Sequence, residues 1–320
     1  MTNPGESWLD RKTAVVIINP AAHNLPAPRR LEEAAELFRQ EGWSVQWWST
    51  TAAGQATAMA AEAAAQHVPL VFACGGDGTL NEVVNGLAGT ETALAVIPAG
   101  TTNLWARELR IHRKTPVEAV RLALDGERRR IDLGRAGSRY FLCMASYGID
   151  AQVTAEIDRS IKRRFGALAY ALSSLRVALR YRGTPASVRL DGEDVRGEVL
   201  MVIAGNTRQY AGLTQVVPEA IVDDGLLDFR IFLGRGRRSI VLHALRALFR
   251  LHRRSPRVLY RRAARMKLSS ERPLTLQLDG DYVPESSGEV TVCPDALWAV
   301  IPAGTKAGIF TERPDHPPTP

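Results

Sequence analysis

The stretch that most constrains how this chain folds is Phe72-Ala73-Cys74-Gly75-Gly76-Asp77-Gly78-Thr79-Leu80-Asn81-Glu82-Val83-Val84-Asn85-Gly86-Leu87. The apolar run Pro69 to Cys74 ahead of it has the length of a buried strand. Leu80, Val83, Val84 and Leu87 then recur at helical spacing, which predicts a helix opening near Thr79. Glycines belong at such a junction where backbone approaches something closely or takes positive φ. The unpaired N–H groups and the dipole of a helix N-terminus make the same place an anion site. The spacing is neither the dinucleotide fingerprint nor the lysine-bearing P-loop. A tight, well-capped turn would account for a glycine triplet alone. With Asp77, Thr79, Asn81 and Glu82 crowding polar groups beside it, the turn reads as a phosphate-binding one.

The flanking sequence supplies the frame. Thr13 to Ile18 is a β-branched run ended by Asn19-Pro20, and Arg29 to Gln40 carries an apolar face up to Gly42. Val45 to Ser49 reads as a second strand, Gly54 to Gln66 as an alanine-rich helix, and Ala93 to Ile97 as a fourth strand followed by Pro98-Ala99-Gly100-Thr101-Thr102-Asn103. Strands alternating with helices imply a doubly wound α/β domain whose ligand lies at the carboxyl ends of the strands. Both glycine turns then fall on one edge. After a helix over Pro116 to Gly126 and the segment Arg128-Arg129-Arg130, the pattern changes. Tyr140–Ala145, Ala186–Leu190, Glu198–Ala204, Leu227–Phe232, Met266–Leu268, Leu274–Leu278 and Gly288–Val292 read as strands of an antiparallel β-sandwich. Helices over about Ile161–Tyr181 and Ser239–Arg253 interrupt them, and the proline-rich end from Thr311 reads as a disordered tail.

At 320 residues with 45% apolar content, the chain can build two cores. Its three scattered cysteines, Cys74, Cys143 and Cys293, fit neither a disulfide framework nor a metal-binding spacing, and they suit a reducing compartment. No signal-type N-terminus and no apolar run of membrane-spanning length is read, so a cytoplasmic protein is expected. The net charge of +7 is concentrated: Phe229 to Ser270 contains no acidic residue and many arginines. That interval suggests an anionic partner. Lacking a groove-reading motif or aromatic platform, it points away from nucleic acid and toward an anionic membrane surface.

Six ordered motifs carry a family resemblance: Gly75-Gly76-Asp77-Gly78-Thr79-Leu80-Asn81-Glu82, Pro98 to Asn103, Gly148-Ile149-Asp150-Ala151, Gly205-Asn206, Pro218 to Asp228, and Leu278-Asp279-Gly280-Asp281. With them, the chain from Ala14 to about Phe310 resembles the bacterial diacylglycerol-kinase-like lipid kinases, relatives of sphingosine and ceramide kinases. The resemblance implies an N-terminal domain like phosphofructokinase and NAD kinase over 1–132, completed by 301–312. It also implies a β-sandwich over 133–300, with 313–320 as tail. ATP is expected on Gly75, Gly76, Asp77, Gly78, Thr79, Leu80, Asn81 and Thr101, with Thr50 of the Thr-x-x-x-Gly-x-Ala turn beside it. Mg2+ is expected with the phosphates. A second, structural Mg2+ is expected on the Asp224 side chain and the Ile221 and Leu226 carbonyls, a hard-oxygen set.

Three positions depart from the family pattern. Asp281 stands where a glutamate base is usual, Leu104 follows Asn103 where an aspartate is usual, and Ala22-His23 replaces a serine and glycine. His23 reads as a surface residue. The resemblance therefore implies an ATP-dependent lipid kinase with Asp281 as base, Asp77 as a competing base or, the favoured reading, beside the metal, and a lipid acceptor presented from the membrane. A kinase of the same fold with a soluble acceptor, or an ATP-binding regulator without turnover, are the rival readings. Immediate succession of Asn81-Glu82 after the glycines disfavours NAD kinase chemistry.

Overall fold

The protein is described here from a computed structural model covering residues 11–156, 176–210, 214–248, 255–284, 288–303, 305 and 307–311. Four strands open the chain, β1 (Thr13–Ile18), β2 (Ser44–Ser49), β3 (Leu70–Gly75) and β4 (Ala93–Pro98). Between and after them come α1 (Pro28–Gln40), α2 (Gln55–Ala65), α3 (Asp77–Leu87), α4 (Leu104–Glu108) and α5 (Pro116–Leu124). The strands are parallel in the order β2-β1-β3-β4. Every residue of β3 is buried, as expected of a central strand covered on both faces.

Alternate residues of these strands face two separate cores. Val16, Phe72 and Ala95 pack under α1 and α5 through Leu37, Phe38, Ala119 and Val120. Val15, Ile17, Val71, Ala73 and Val96 pack under α2, α3 and α4 through Ala60, Val83, Val84 and Trp105. The alanine content of α2 has a steric cause: a Cβ on Gly86 of α3 would lie 2.4 Å from Thr57 O and 2.6 Å from Ala60 Cβ. The two helices approach too closely for larger side chains.

The second half supplies β5 (Glu127–Ala136), β6 (Arg139–Phe141), β7 (Met144–Gly148), α6 (Ile149–Glu156), β8 (Thr184–Leu190), β9 (Glu193–Gly205), β10 (Gln209–Tyr210), β11 (Thr214–Gln215), β12 (Leu227–Leu233), α7 (Gly236–Leu248), β13 (Val258–Ala263), β14 (Arg265–Ser270), β15 (Leu276–Leu278), β16 (Asp281–Val283) and β17 (Glu289–Ile301). Its strands are antiparallel around a core of Phe141, Tyr147, Val202, Phe229, Ile231 and Met266. The expected α/β domain and β-sandwich are both present. Because β17 pairs antiparallel with β5 and β14 and parallel with β4, they share one continuous 15-stranded sheet. Both long strands therefore run through the divisions drawn at 132 and 300, and β17 already reaches β4 at Trp298 and Ala299. The expected helix over 161–181 lies mostly outside the described residues, as does the tail beyond 311.

Candidate active site

The glycine turn after β3 forms as its sequence predicts, but the helix opens earlier, at Asp77, with Gly76 as N-cap in extended backbone. The first intrahelical bond runs from Leu80 N–H to Gly76 O (3.0 Å). The amides of Gly78 and Thr79 thus lack intrahelical acceptors and face the strand edge, the geometry of an anion cradle. Gly75 is required by packing, since a Cβ there would come within 2.5 Å of Thr79 Cβ.

The second turn, after β4, touches the first. A Cβ on Gly100 would lie 2.4 Å from Gly76 Cα, so nothing but hydrogen fits between them. Asn103, in left-handed backbone at φ 52° that asparagine tolerates, closes the turn on itself: its Oδ1 accepts from Gly100 N (2.9 Å) and its Nδ2 donates to Gly100 O (2.7 Å). Asp77 locks the two turns together. Asn103 N donates to Asp77 Oδ2 (2.9 Å) and Leu104 N to Asp77 Oδ1 (2.6 Å), which also caps the short α4. A third loop braces both, with Asn19 Nδ2 donating to Thr79 Oγ1 (2.9 Å) and Asn24 Nδ2 to Gly100 O (2.9 Å). Sequence reasoning does not find these three asparagine braces. Asn19 ahead of a proline at a strand end, and Asn103 in a glycine turn, are the signals that point to them.

The remaining candidates divide by position. Thr101 is exposed at the rim, and Thr50 is half-buried at the same edge, its N–H bonded to Ile18 O (2.9 Å). Leu80 is buried in the core under α3, so at this position the side chain contributes packing. Asn81 is 2% exposed and its amide is turned toward the second half of the chain, donating to Asp279 Oδ2 (2.7 Å) and Tyr140 O (3.1 Å). The side chain of Leu104 enters the same core as Leu80, and only its N–H meets Asp77. His23 is exposed.

Asp281 arrives from the sandwich. The β15–β16 hairpin pairs Leu278 with Asp281, leaving Asp279 and Gly280 as a two-residue turn with φ of 47° and 87°. Two positive φ values make this a type I′ turn, for which Asp-Gly is a preferred pair. The hairpin projects toward α3, and a Cβ on Gly78 would lie 3.5 Å from Asp281 Oδ2. The carboxylate therefore stands directly over the phosphate-type turn. Behind it, Asp279 Oδ1 accepts from Cys143 N (2.9 Å) and Met144 N (2.8 Å), while Oδ2 accepts from Leu142 N and Asn81 Nδ2 (both 2.7 Å). Burial holds the Asp279 carboxyl above the usual carboxylate range even against these four donors. The neighbouring Cys143 thiol is pushed far up by burial and by Asp279 and Asp77, which makes it inert as a nucleophile.

Of the two carboxylates beside Gly78, Asp77 has both oxygens bonded to main-chain N–H groups, so Asp281 is the hard oxygen donor there that suits a nucleotide-borne Mg2+. At the position of the expected structural metal, the Asp224 side chain already has partners within the chain. Asp224 Oδ1 accepts from Leu226 N (3.0 Å), and its other oxygen is paired with the Arg262 guanidinium. Arg262 thus supplies the positive charge beside Asp224, and its Nε also lies 3.9 Å from Asp228 Oδ2. Asp132 bonds Gly225 N (2.7 Å) and Asp295 N (2.9 Å), and Asp223 pairs with Arg129 at 2.6 Å. Among the described residues no group of three or more His, Cys, Asp or Glu side chains is arranged to hold a metal. The sequence carries no signal for this role of Arg262, since β13 lies within the arginine-rich interval that reads as a basic surface.

Both halves of the chain match known families. Residues 13–136 match the Diacylglycerol kinase catalytic domain, and residues 143–301 match the YegS C-terminal NAD kinase beta sandwich-like domain. A diacylglycerol kinase of Bacillus subtilis is 33% identical over 293 residues, 91% of this chain and 97% of that protein. One from Staphylococcus saprophyticus is 31% identical over 276 residues, covering 85% and 90%. The crystal structure of a diacylglycerol kinase from Bacillus anthracis superposes with a TM-score of 0.76 at 22% identity, covering 92% of this chain and 99% of that one, and shares the fold. Matched in both halves and aligned to these relatives nearly end to end, the chain belongs to the diacylglycerol kinase family.

Proposed function

We propose that this protein transfers the γ-phosphate of ATP to a hydroxyl of diacylglycerol or a related lipid, with Asp281 as the base. The observation that carries this reading is the approach of Asp281 to Gly78, beside the second glycine turn packed against Gly76. The amides of Gly78 and Thr79 bind phosphate oxygens, and Thr101 and Thr50 orient the nucleotide from the rim. Asp77 holds the two turns at fixed separation. Asp281 accepts the proton of the acceptor hydroxyl as that oxygen bonds to the γ-phosphorus and the bond to the bridging oxygen breaks, leaving ADP. Such transfer rests on positioning and charge neutralisation more than on covalent help from the protein. Mg2+, when bound beside Asp281, would supply part of that neutralisation. Aspartate in place of glutamate shortens the base by one methylene, and the closeness of its hairpin to Gly78 supports aspartate as a workable substitute. The division of labour is nucleotide to the α/β half and lipid to the sandwich half.

The lipid reading is supported by α7. Arg235, Arg237 and Arg238 are exposed around its start, and Val241 (55%) and Leu242 (37%) are exposed one turn later. That pairing of arginine and apolar side chains suits an anionic bilayer surface, where each basic residue contributes about 1 kcal/mol. Arg246 is turned inward to Ser255 Oγ (2.6 Å), and Arg250, Arg253 and Arg254 lie outside the described residues. Among the described residues no helix is long and apolar enough to cross a membrane. The test is incubation with radiolabelled ATP and a lipid panel dispersed in detergent. Label should enter a glycerolipid and be lost with Asp281→Ala. No labelled lipid with wild-type protein, or full activity in Asp281→Ala, refutes the assignment.

A further inference from the structure

Resting on the kinase reading above, we infer that Asn81 and Asp279 form a positioning clasp that sets the distance between the base and the phosphate turn. Gly78 and Asn81 are three residues apart on α3 and therefore share one helical face. Asp279 and Asp281 flank Gly280 in the type I′ turn of the hairpin. The helix and the hairpin thus meet along two rungs: Asn81 Nδ2 donates to Asp279 Oδ2 at 2.7 Å, and Gly78 faces Asp281 Oδ2. The first rung holds the second at its spacing.

The clasp is anchored at both ends. Asp279 is fixed to the sandwich by the N–H groups of Leu142, Cys143 and Met144, and its own N–H donates to Met144 O (2.9 Å). On the helix side, Asn85 Nδ2 donates to Asn81 Oδ1 (3.2 Å) and to Tyr140 O (3.0 Å), while Tyr140 N donates to Asn85 Oδ1 (2.9 Å). Gln277, two residues before the turn, donates to the buried Asp150 (3.1 Å) and accepts from Gly280 N (2.6 Å). The hairpin is thus held on the sandwich side by several bonds, and the bond to Asn81 ties its turn directly to α3. An aspartate base with its short reach depends on that spacing more than a glutamate would.

The test is a double-mutant cycle between Asn81→Ala and Asp281→Glu, with Asn81→Ser as a milder partner. Misplacement of about 1 Å costs on the order of 10²-fold, so Asn81→Ala should lower kcat for the lipid by roughly 10- to 100-fold with KM for ATP little changed. Asp281→Glu, with its longer reach, should restore part of that loss in the Asn81→Ala background. A purely structural role for Asn81 predicts effects that multiply without rescue, and that result, or wild-type kcat in both Asn81 variants, overturns the clasp. If wild-type protein phosphorylates no lipid, the kinase reading fails on its own account. Hydrogen exchange then decides the clasp: the amides of Leu142, Cys143 and Met144 should exchange faster in Asn81→Ala, and unchanged exchange refutes it.

Discussion

Replacing Gly78 by alanine should separate stability from activity. Gly78 is not in a positive-φ conformation, and the added methyl meets no backbone: its nearest neighbour is Asp281 Oδ2 at 3.5 Å, an ordinary van der Waals distance. The fold accepts the change. Alanine in place of an in-helix glycine gains at most about 0.5–1 kcal/mol, so the melting temperature should hold or rise by about 1–3 °C. The catalytic cost follows from the same distance. A base must come within about 2.6–3.2 Å of the hydroxyl oxygen whose proton it takes, and carbon atoms resist approach closer than about 3.5 Å. A methyl at that place takes the space against Asp281 Oδ2 that a substrate oxygen would occupy. A loss of about 10²-fold in kcat/KM, equivalent to about 2.7 kcal/mol of transition-state stabilisation, is expected. Gly100→Ala is the contrasting control, because its Cβ would meet Gly76 Cα at 2.4 Å and must push the turns apart, costing stability as well as activity. Phosphate transfer to lipid and thermal unfolding, measured on both variants, separate the two cases. Gly78→Ala with near wild-type transfer would refute the placement of the reaction between this turn and Asp281.

Two further expectations concern the sandwich. Because Arg262 is paired with Asp224, chelation by EDTA should leave the thermal midpoint of the nucleotide-free protein unchanged, whereas Arg262→Ala should lower it and make it rise with added Mg2+; a drop on chelation of wild-type protein would restore the structural metal. Asp228 Oδ2 is buried without a hydrogen-bond donor, and desolvation pushes its carboxyl up to about 6 despite Tyr260 and Arg262, with Asp224 and Glu219 adding to the rise. With the folded value above the unfolded one, its stability contribution is present at acid pH and fades as pH rises through about 6. Each tenfold change in proton affinity between the two states corresponds to about 1.4 kcal/mol. Asp228→Asn should therefore gain on wild type by a few kcal/mol between pH 4 and pH 7.5 in parallel unfolding titrations. A constant difference would show that Asp228 is ionised throughout.

The sequence by itself determined the parts governed by local physics. Strand and helix periods, the two glycine turns, the Asp-Gly hairpin and the switch from parallel to antiparallel pattern are all legible there, because each depends on residues within a few positions of one another. Even Leu104 and Asp281 can be read as departures. Tertiary structure decided what those residues touch. Asp77 and Asn81 look alike as polar neighbours of glycine; Asp77 spends its oxygens on the second turn, and Asn81 turns away to grip Asp279. Asp224 has the look of a metal ligand until β13 brings Arg262 beside it. The two halves are separable by pattern, yet β5 and β17 fuse them into one sheet. The contacts of Asn81 with Asp279 and of Arg262 with Asp224 join residues 198 and 38 positions apart, and only packing in three dimensions chooses among the partners a sequence would allow.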